Sequence, residues 1–267
     1  MTNSGKLSGW AVILGASSGF GGATAVELAR HGMDVFGVHL DLRSTLPNAE
    51  KVMDAVRAEG RQAVYFNMNA ADAAKRADAV EVMARKAAET GSFVRVLMHS
   101  LAFGTLQPVI AGSPKEALSQ RQMEMTIDVM ANSLIYWAQD LCAKGLLRRG
   151  SRIYAMTSSG STRVIKSYGA VSAAKAALEA HIRQLAFELA PMGVTANAIR
   201  AGVTDTPALR RIPEGLNLLE RVRVANPSGR ATTPQDVAQC IAALSDERTY
   251  WMTGNVIGVD GGEEITV

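Results

Sequence analysis

A phenol and an ammonium stand seven residues apart in the segment Tyr168-Gly169-Ala170-Val171-Ser172-Ala173-Ala174-Lys175. The surrounding pattern reads as one helix over Ser167–Ala190, and two α-helical turns bring positions i and i+7 to within about 20° of one face, separated by about 10.5 Å of rise. A tyrosine held in the field of a lysine can act as a proton donor. A second chemical feature lies near the start of the chain, in Gly15-Ala16-Ser17-Ser18-Gly19-Phe20-Gly21-Gly22. Gly15, Gly19 and Gly21 are spaced G-x-x-x-G-x-G, between an apolar run and a helical pattern that begins near Ala23. Glycines let a backbone turn tightly and approach a pyrophosphate, while the helix start offers N–H groups and a positive dipole end. Ser17, Ser18 and Phe20 complete the candidate cradle. The alternative is a tight strand-to-helix turn that binds nothing.

Elements that would position these groups alternate along the chain. Strands are expected at Trp10–Leu14, Val35–Leu40, Ala63–Asn67, Val94–His99, Ile153–Thr157, Thr195–Ile199 and Val256–Val259. Helices are expected near Ala23–Arg30, Ala49–Glu59, Ala73–Thr90, Pro114–Lys144, Ser167–Ala190 and Pro234–Leu244. Such alternation predicts an α/β fold, a doubly wound parallel sheet of Rossmann type with helices on both faces. With no repeat, linker or composition break, residues 1–267 read as one catalytic domain. The least regular stretch, Ala201 to Arg230, carries Pro207, Pro213, Gly215, Pro227 and Gly229. A lid near residues 203–222 is expected there.

Composition narrows the class. A net charge of +3 with no dense Lys/Arg run argues against nucleic acid. No apolar stretch approaches membrane-spanning length, and Trp10–Leu14 ends in a glycine turn rather than a cleavage site. Cys142 and Cys240 suggest buried thiols, not a disulfide framework or a zinc site, and His31, His39 and His181 show no metal-ligand spacing. The expectation is a soluble cytoplasmic enzyme without a metal.

Three motifs in order, the glycine loop, the Tyr/Lys helix and the closing Met252-Thr253-Gly254-Asn255-Val256-Ile257-Gly258-Val259-Asp260-Gly261-Gly262, together resemble the short-chain dehydrogenase/reductase family over essentially the whole chain. Ordinary members carry Tyr-x-x-x-Lys, yet the residue four before Lys175 is Val171. The phenol sits one turn earlier, at Tyr168, as in the divergent enoyl-[acyl-carrier-protein] reductases. His99-Ser100-Leu101-Ala102-Phe103 likewise resembles the His-Ser-Ile-Ala/Gly-Phe of that branch rather than Asn-Asn-Ala-Gly. The ordinary catalytic Asn maps near Met130, which removes the usual Asn-dependent relay. Ser158 falls at the family's catalytic Ser position, where many enoyl reductases have Tyr; this departure is shared with the subtype called type III.

The resemblance implies reduction of the C2=C3 bond of a 2-enoyl thioester by NADH or NADPH, in fatty-acid biosynthesis. Hydride would go to Cβ while charge develops on the thioester oxygen three bonds away, so a donor further from the nicotinamide suits this chemistry. Tyr168 would stabilise the enolate, Lys175 would hold the ribose and favour the phenolate, and Ser158 would assist. Asn69 and Ala70 match the family's adenine contact, Leu101 its adenosine-side wall, and Val203 and Thr206 its nicotinamide carboxamide and phosphate contacts, with Ser100 a further cofactor-binding residue. Ala102, Phe103, Gly104 and Leu209 would meet substrate. Asp41 after the second strand can accept ribose hydroxyls, whereas Arg43 would welcome a 2′-phosphate; with Ser18 rather than Arg in the loop, the reading leans to NADH. Arg210 and Arg211 are candidates for acyl-carrier-protein contact, with a solvated surface pair as the alternative, and a homotetramer is expected. Two rivals remain: a 3-oxoacyl or carbonyl reductase using Ser158, Tyr168 and Lys175, and a nicotinamide-binding sensor without chemistry.

Overall fold

The computed structural model describes residues 7–266. Its strands are β1 (Trp10–Leu14), β2 (Asp34–His39), β3 (Ala63–Asn67), β4 (Val94–His99), β5 (Arg152–Thr157), β6 (Thr195–Ala201) and β7 (Val256–Val259). They form one sheet in the order β3-β2-β1-β4-β5-β6-β7, and every pairing is parallel. The helices are α1 (Gly19–Arg30), α2 (Leu46–Ala58), α3 (Ala73–Glu89), α4 (Gln120–Ile127), α5 (Ser133–Ala143), α6 (Gly169–Leu189), α7 (Gly215–Ala225) and α8 (Pro234–Leu244).

A parallel sheet covered on both faces needs strands that are apolar on both sides, and β1 shows how this chain meets that need. Trp10, Val12 and Leu14 enter one core with Met83 of α3, Trp137 of α5 and Leu178 of α6. Ala11 and Ile13 enter the other with Leu28 of α1, Val56 of α2 and Ile241 of α8. Trp10 stacks on Phe36 with ring centroids 3.9 Å apart. Strand order reverses between β1 and β4, so the crevice beyond the carboxyl ends of these two strands is where such a fold receives a ligand. Leu14 pairs with Val38 on one side and His99 on the other, which brings the three strand ends to one level.

Four helix expectations need correction. α1 begins at Gly19, so the second half of the glycine loop forms its first turn. The helix expected over Pro114–Lys144 starts only at Gln120, where Ser119 and Gln122 form a capping box, and it is interrupted by a π-helical turn over Asp128–Asn132. The Tyr/Lys helix starts at Gly169, leaving Tyr168 as its N-cap. The irregular stretch contains α7, preceded by Glu214 at φ 63°. Gly215 follows because the Leu209 carbonyl occupies the space a Cβ would need.

Candidate active site

Backbone conformation at the glycine loop requires glycine. Gly15 has φ +92°, and a Cβ there would stand 2.5 Å from the Ser100 carbonyl oxygen. Gly21 lies against the Gly15 carbonyl, again with no room for a Cβ. Ser18, the N-cap of α1, makes no side-chain cap, so the amides opening this helix have no such partner. Glycine-lined backbone and uncapped N–H groups fit the pyrophosphate of a dinucleotide. Phe20 packs partly buried against the α1 core.

Asp41 stands beyond β2, with its side chain turned inward. His39 Nδ1 lies 2.9 Å from its carboxylate. Burial opposes its ionisation, but hydrogen bonds with Thr45, Ser17 and His39 prevail and hold the carboxyl below its ordinary range. The Asp41 amide and carbonyl also pair with the Asn67 side chain at 3.0 and 2.9 Å, which joins the ends of β2 and β3. Asn69, exposed beyond β3, accepts the amide of Ala71 at 3.0 Å. Ala70 is buried, and its carbonyl accepts Trp137 Nε1 at 2.9 Å.

On the other side of β1, the Ser100 amide donates to the Leu14 carbonyl at 2.8 Å. Lys175 is buried, and its Nζ donates to the Met156 carbonyl at 2.7 Å and reaches toward that of Leu101 at 3.5 Å. Burial lowers its pKa to about 8, a shift that the Glu179 carboxylate opposes. Glu179 in turn accepts the Thr157 hydroxyl at 2.5 Å. His99, fully buried with Nε2 3.0 Å from Ser133 Oγ, is held neutral: burial first and Lys175 second lower its pKa to about 3.

Tyr168 is buried beside Ser158. Burial raises the phenol pKa, and a hydrogen bond from Ser158 opposes the rise. Burial is the larger of the two effects, so the phenol favours its protonated form. Gly160 makes the close approach possible: a Cβ there would fall 2.7 Å from Tyr168 Cε1. The Gly160 amide donates to Ser158 Oγ at 2.9 Å, and Ser172 Oγ donates to the Gly160 carbonyl at 2.6 Å. Val171 is buried, within 2.7 Å of where a Gly104 Cβ would stand, and Met130 Sδ crowds the same point.

Thr206 reaches the glycine loop, its Cγ2 3.6 Å from the position of a Gly19 Cβ. The Val203 amide is already engaged, donating to the Glu263 carboxylate at 2.9 Å. Leu209, named as a substrate contact, is buried under Gly215 in the lid's own packing. Ala102 and Phe103 are exposed at the cleft, Phe103 by half. Arg210 forms a bidentate pair with Asp205 at 2.8 and 2.9 Å. Both cysteines are free and only partly buried. Among the described residues no group of His, Cys, Asp and Glu could hold a metal ion, and no helix is long and apolar enough to cross a membrane.

Gly160, Ser172, Glu179 and Glu263 escaped the sequence reading. Ser172 carried one usable signal, its place a single helical turn after Tyr168.

Comparison with known proteins agrees with this architecture. The family model described as enoyl-(acyl carrier protein) reductase matches residues 15–264. The chain is 30% identical to a cyclohexanol dehydrogenase from Rhodococcus sp. (strain TK6), over 94% of each chain. It is 33% identical to the NADH-dependent enoyl-[acyl-carrier-protein] reductase of Synechocystis, over 64% of each. A short-chain dehydrogenase from Burkholderia cenocepacia J2315, solved in complex with NADP, superposes with a TM-score of 0.79 at 26% identity, covering 97% of this chain and 98% of that one. With a glycine cradle at the β1/β4 switch point and a buried Tyr/Lys pair beside it, the chain belongs to the short-chain dehydrogenase/reductase family, in its enoyl reductase branch, and is a nicotinamide-dependent oxidoreductase.

Proposed function

We propose that this oxidoreductase reduces the C2=C3 bond of a 2-enoyl thioester carried on acyl-carrier protein. The observation behind this reading is the displaced phenol. Val171 is buried at the position four before Lys175, beside Gly104, while Tyr168 stands one turn earlier with its proton favoured by burial. When bound, reduced nicotinamide supplies the hydride. Tyr168 Oη would donate a hydrogen bond, or its proton, to the thioester oxygen as enolate charge develops there. Ser158 already accepts the Gly160 amide, which leaves its own O–H to support the phenol as charge moves onto it. Lys175, anchored on Met156, would present its remaining N–H donors toward the ribose hydroxyls. Asp41 favours NADH over NADPH in this reading. The enzyme would act in the cytoplasm as a homotetramer.

Ser158, whose hydroxyl lowers the Tyr168 pKa against burial, and the likeness to a cyclohexanol dehydrogenase favour a second reading, a carbonyl reductase using the same three residues. One assay separates them: oxidation of NADH and NADPH at 340 nm with a 2-enoyl thioester beside a 3-oxoacyl thioester, for wild type and Tyr168→Phe. Enoyl-dependent oxidation lost in the variant supports the proposal. Turnover of the oxo substrate alone moves the protein to the carbonyl reductases, and silence with both favours a sensor.

A further inference from the structure

Past β7 the chain makes a tight turn and delivers two consecutive carboxylates to two different walls of the cleft. Gly261 and Gly262, at φ +63° and +89°, form the turn. Asp260 braces it by accepting the amides of Gly262 at 3.0 Å and Glu264 at 3.2 Å. Asn226 Nδ2 and Ser228 Oγ tie it to the segment after α7, donating to the carbonyls of Asp260 at 2.7 Å and Gly261 at 3.1 Å.

Glu263, only 8% exposed, accepts the Val203 amide with both oxygens, at 2.9 and 3.2 Å. Gly202 permits this, since a Cβ there would fall 2.7 Å from Glu263 Oε2 and collide with Thr232 Oγ1. Glu264 lies 3.4 Å from Arg163 and 3.7 Å from Arg200, and its carbonyl accepts Arg163 Nη2 at 3.0 Å. Arg163 belongs to the loop between Ser158 and Tyr168. The Val203 segment leads into Thr206, which rests against Gly19. Burial first, then the Asp260 and Glu264 carboxylates, raise the pKa of Glu263, opposed by the Val203 amide hydrogen bond and the Arg163 guanidinium. A carboxylate buried beside other acids is costly to keep, and its hydrogen bonds here go to one backbone amide at the root of the lid.

We propose that Glu263 and Glu264 are positioning residues for the nicotinamide half of the cofactor site, fastening the Val203–Thr206 wall and the Tyr168 loop to the segment after β7. This wall stands on the β4–β7 side of β1, and Asp41 stands on the β2 side. The two halves of a dinucleotide therefore respond differently when the fastening is cut. The inference rests on nicotinamide binding and is independent of the acyl substrate, so failure of the enoyl reading leaves it intact.

The test is equilibrium binding of NADH and of ADP-ribose, which lacks the nicotinamide, to wild type, Glu263→Ala and Glu263→Gln. Loss of a charged hydrogen bond predicts NADH binding about tenfold weaker in Glu263→Ala, with ADP-ribose binding unchanged. Glu263→Gln retains a neutral acceptor for the Val203 amide and is expected to recover most of the NADH affinity. Wild-type NADH affinity in Glu263→Ala would overturn the proposal. Equal loss of both ligands, or no recovery with glutamine, would overturn it as well, by reducing the residue to a general structural support. Should the alanine variant fail to fold, the ratio of NADH to ADP-ribose affinity in Glu263→Gln, compared with Glu264→Ala, carries the same decision: a drop in Glu264→Ala alone supports the fastening, and no drop in either overturns it.

Discussion

Lys175 and Tyr168 both carry protons at neutral pH, and burial makes this expensive for the lysine. A pKa of about 8 in the fold against 10.5 in the open chain means that the unfolded state holds the proton more tightly between those values. The buried cation therefore costs stability in full below about pH 8, and the cost fades as pH rises toward 10.5. Lys175→Met is expected to abolish turnover while raising the melting temperature at pH 7, with the stability gain shrinking above pH 8; a series of thermal melts across pH checks this. The same titration predicts an alkaline limb near pH 8 in kcat/KM of the free enzyme. Tyr168→Phe should keep the fold and lower kcat about 100-fold or more, the scale of general-acid contributions. Gly160→Ala acts on the same ring by contact: a methyl 2.7 Å from Tyr168 and 3.2 Å from Ser158 Oγ must displace one of them. Its kcat should fall while cofactor affinity holds, as steady-state kinetics beside NADH binding would show.

At the scale of elements, Val171→Tyr asks whether the phenol can return to the ordinary family spacing. Val171 is buried in the core, so the larger ring should destabilise by about 1–3 kcal/mol as an overpacked core does and restore no activity to Tyr168→Phe. Chemical denaturation of the single and double variants measures both effects. The strands were legible because a parallel sheet buried on both faces demands unbroken apolar runs, and four of the seven match their expected bounds. The lid helix α7 was hidden by its entry: Glu214 in the left-handed region and Gly215 under Leu209 read locally as loop. The break in the Pro114–Lys144 helix was hidden too, since a π-turn leaves no composition mark. At the site, Tyr168, Lys175 and the glycines announced themselves by type and spacing. Glu263 and Glu179 did not, because their partners lie 60 and 22 residues away and only folding brings them together.

Across the whole molecule, the sheet ends in two edges, β3 and β7. Beside β7, Trp251 is 84% exposed and Tyr250 58%, with Phe187 of α6 78% exposed. If the chain is a tetramer as proposed, this apolar margin is a place for subunits to meet, and Trp251→Glu is expected to yield a smaller species by light scattering. Asymmetry runs through the interior as well. β1 is buried on both faces and paired on both sides, and it ends in the glycine loop. The opposite wall, from Val203 through α7, contains no strand past Ala201 and is tied to the end of β7 and the segment after it chiefly by single hydrogen bonds from Gly202, Val203, Asn226 and Ser228. In hydrogen–deuterium exchange, amides 10–14 should therefore exchange only with global unfolding, and amides 203–222 through small local openings. That outcome would mean a cleft with one wall set before any ligand arrives and one that yields. Such a cleft admits its nucleotide first and its acyl partner second, an order that product-inhibition patterns would reveal.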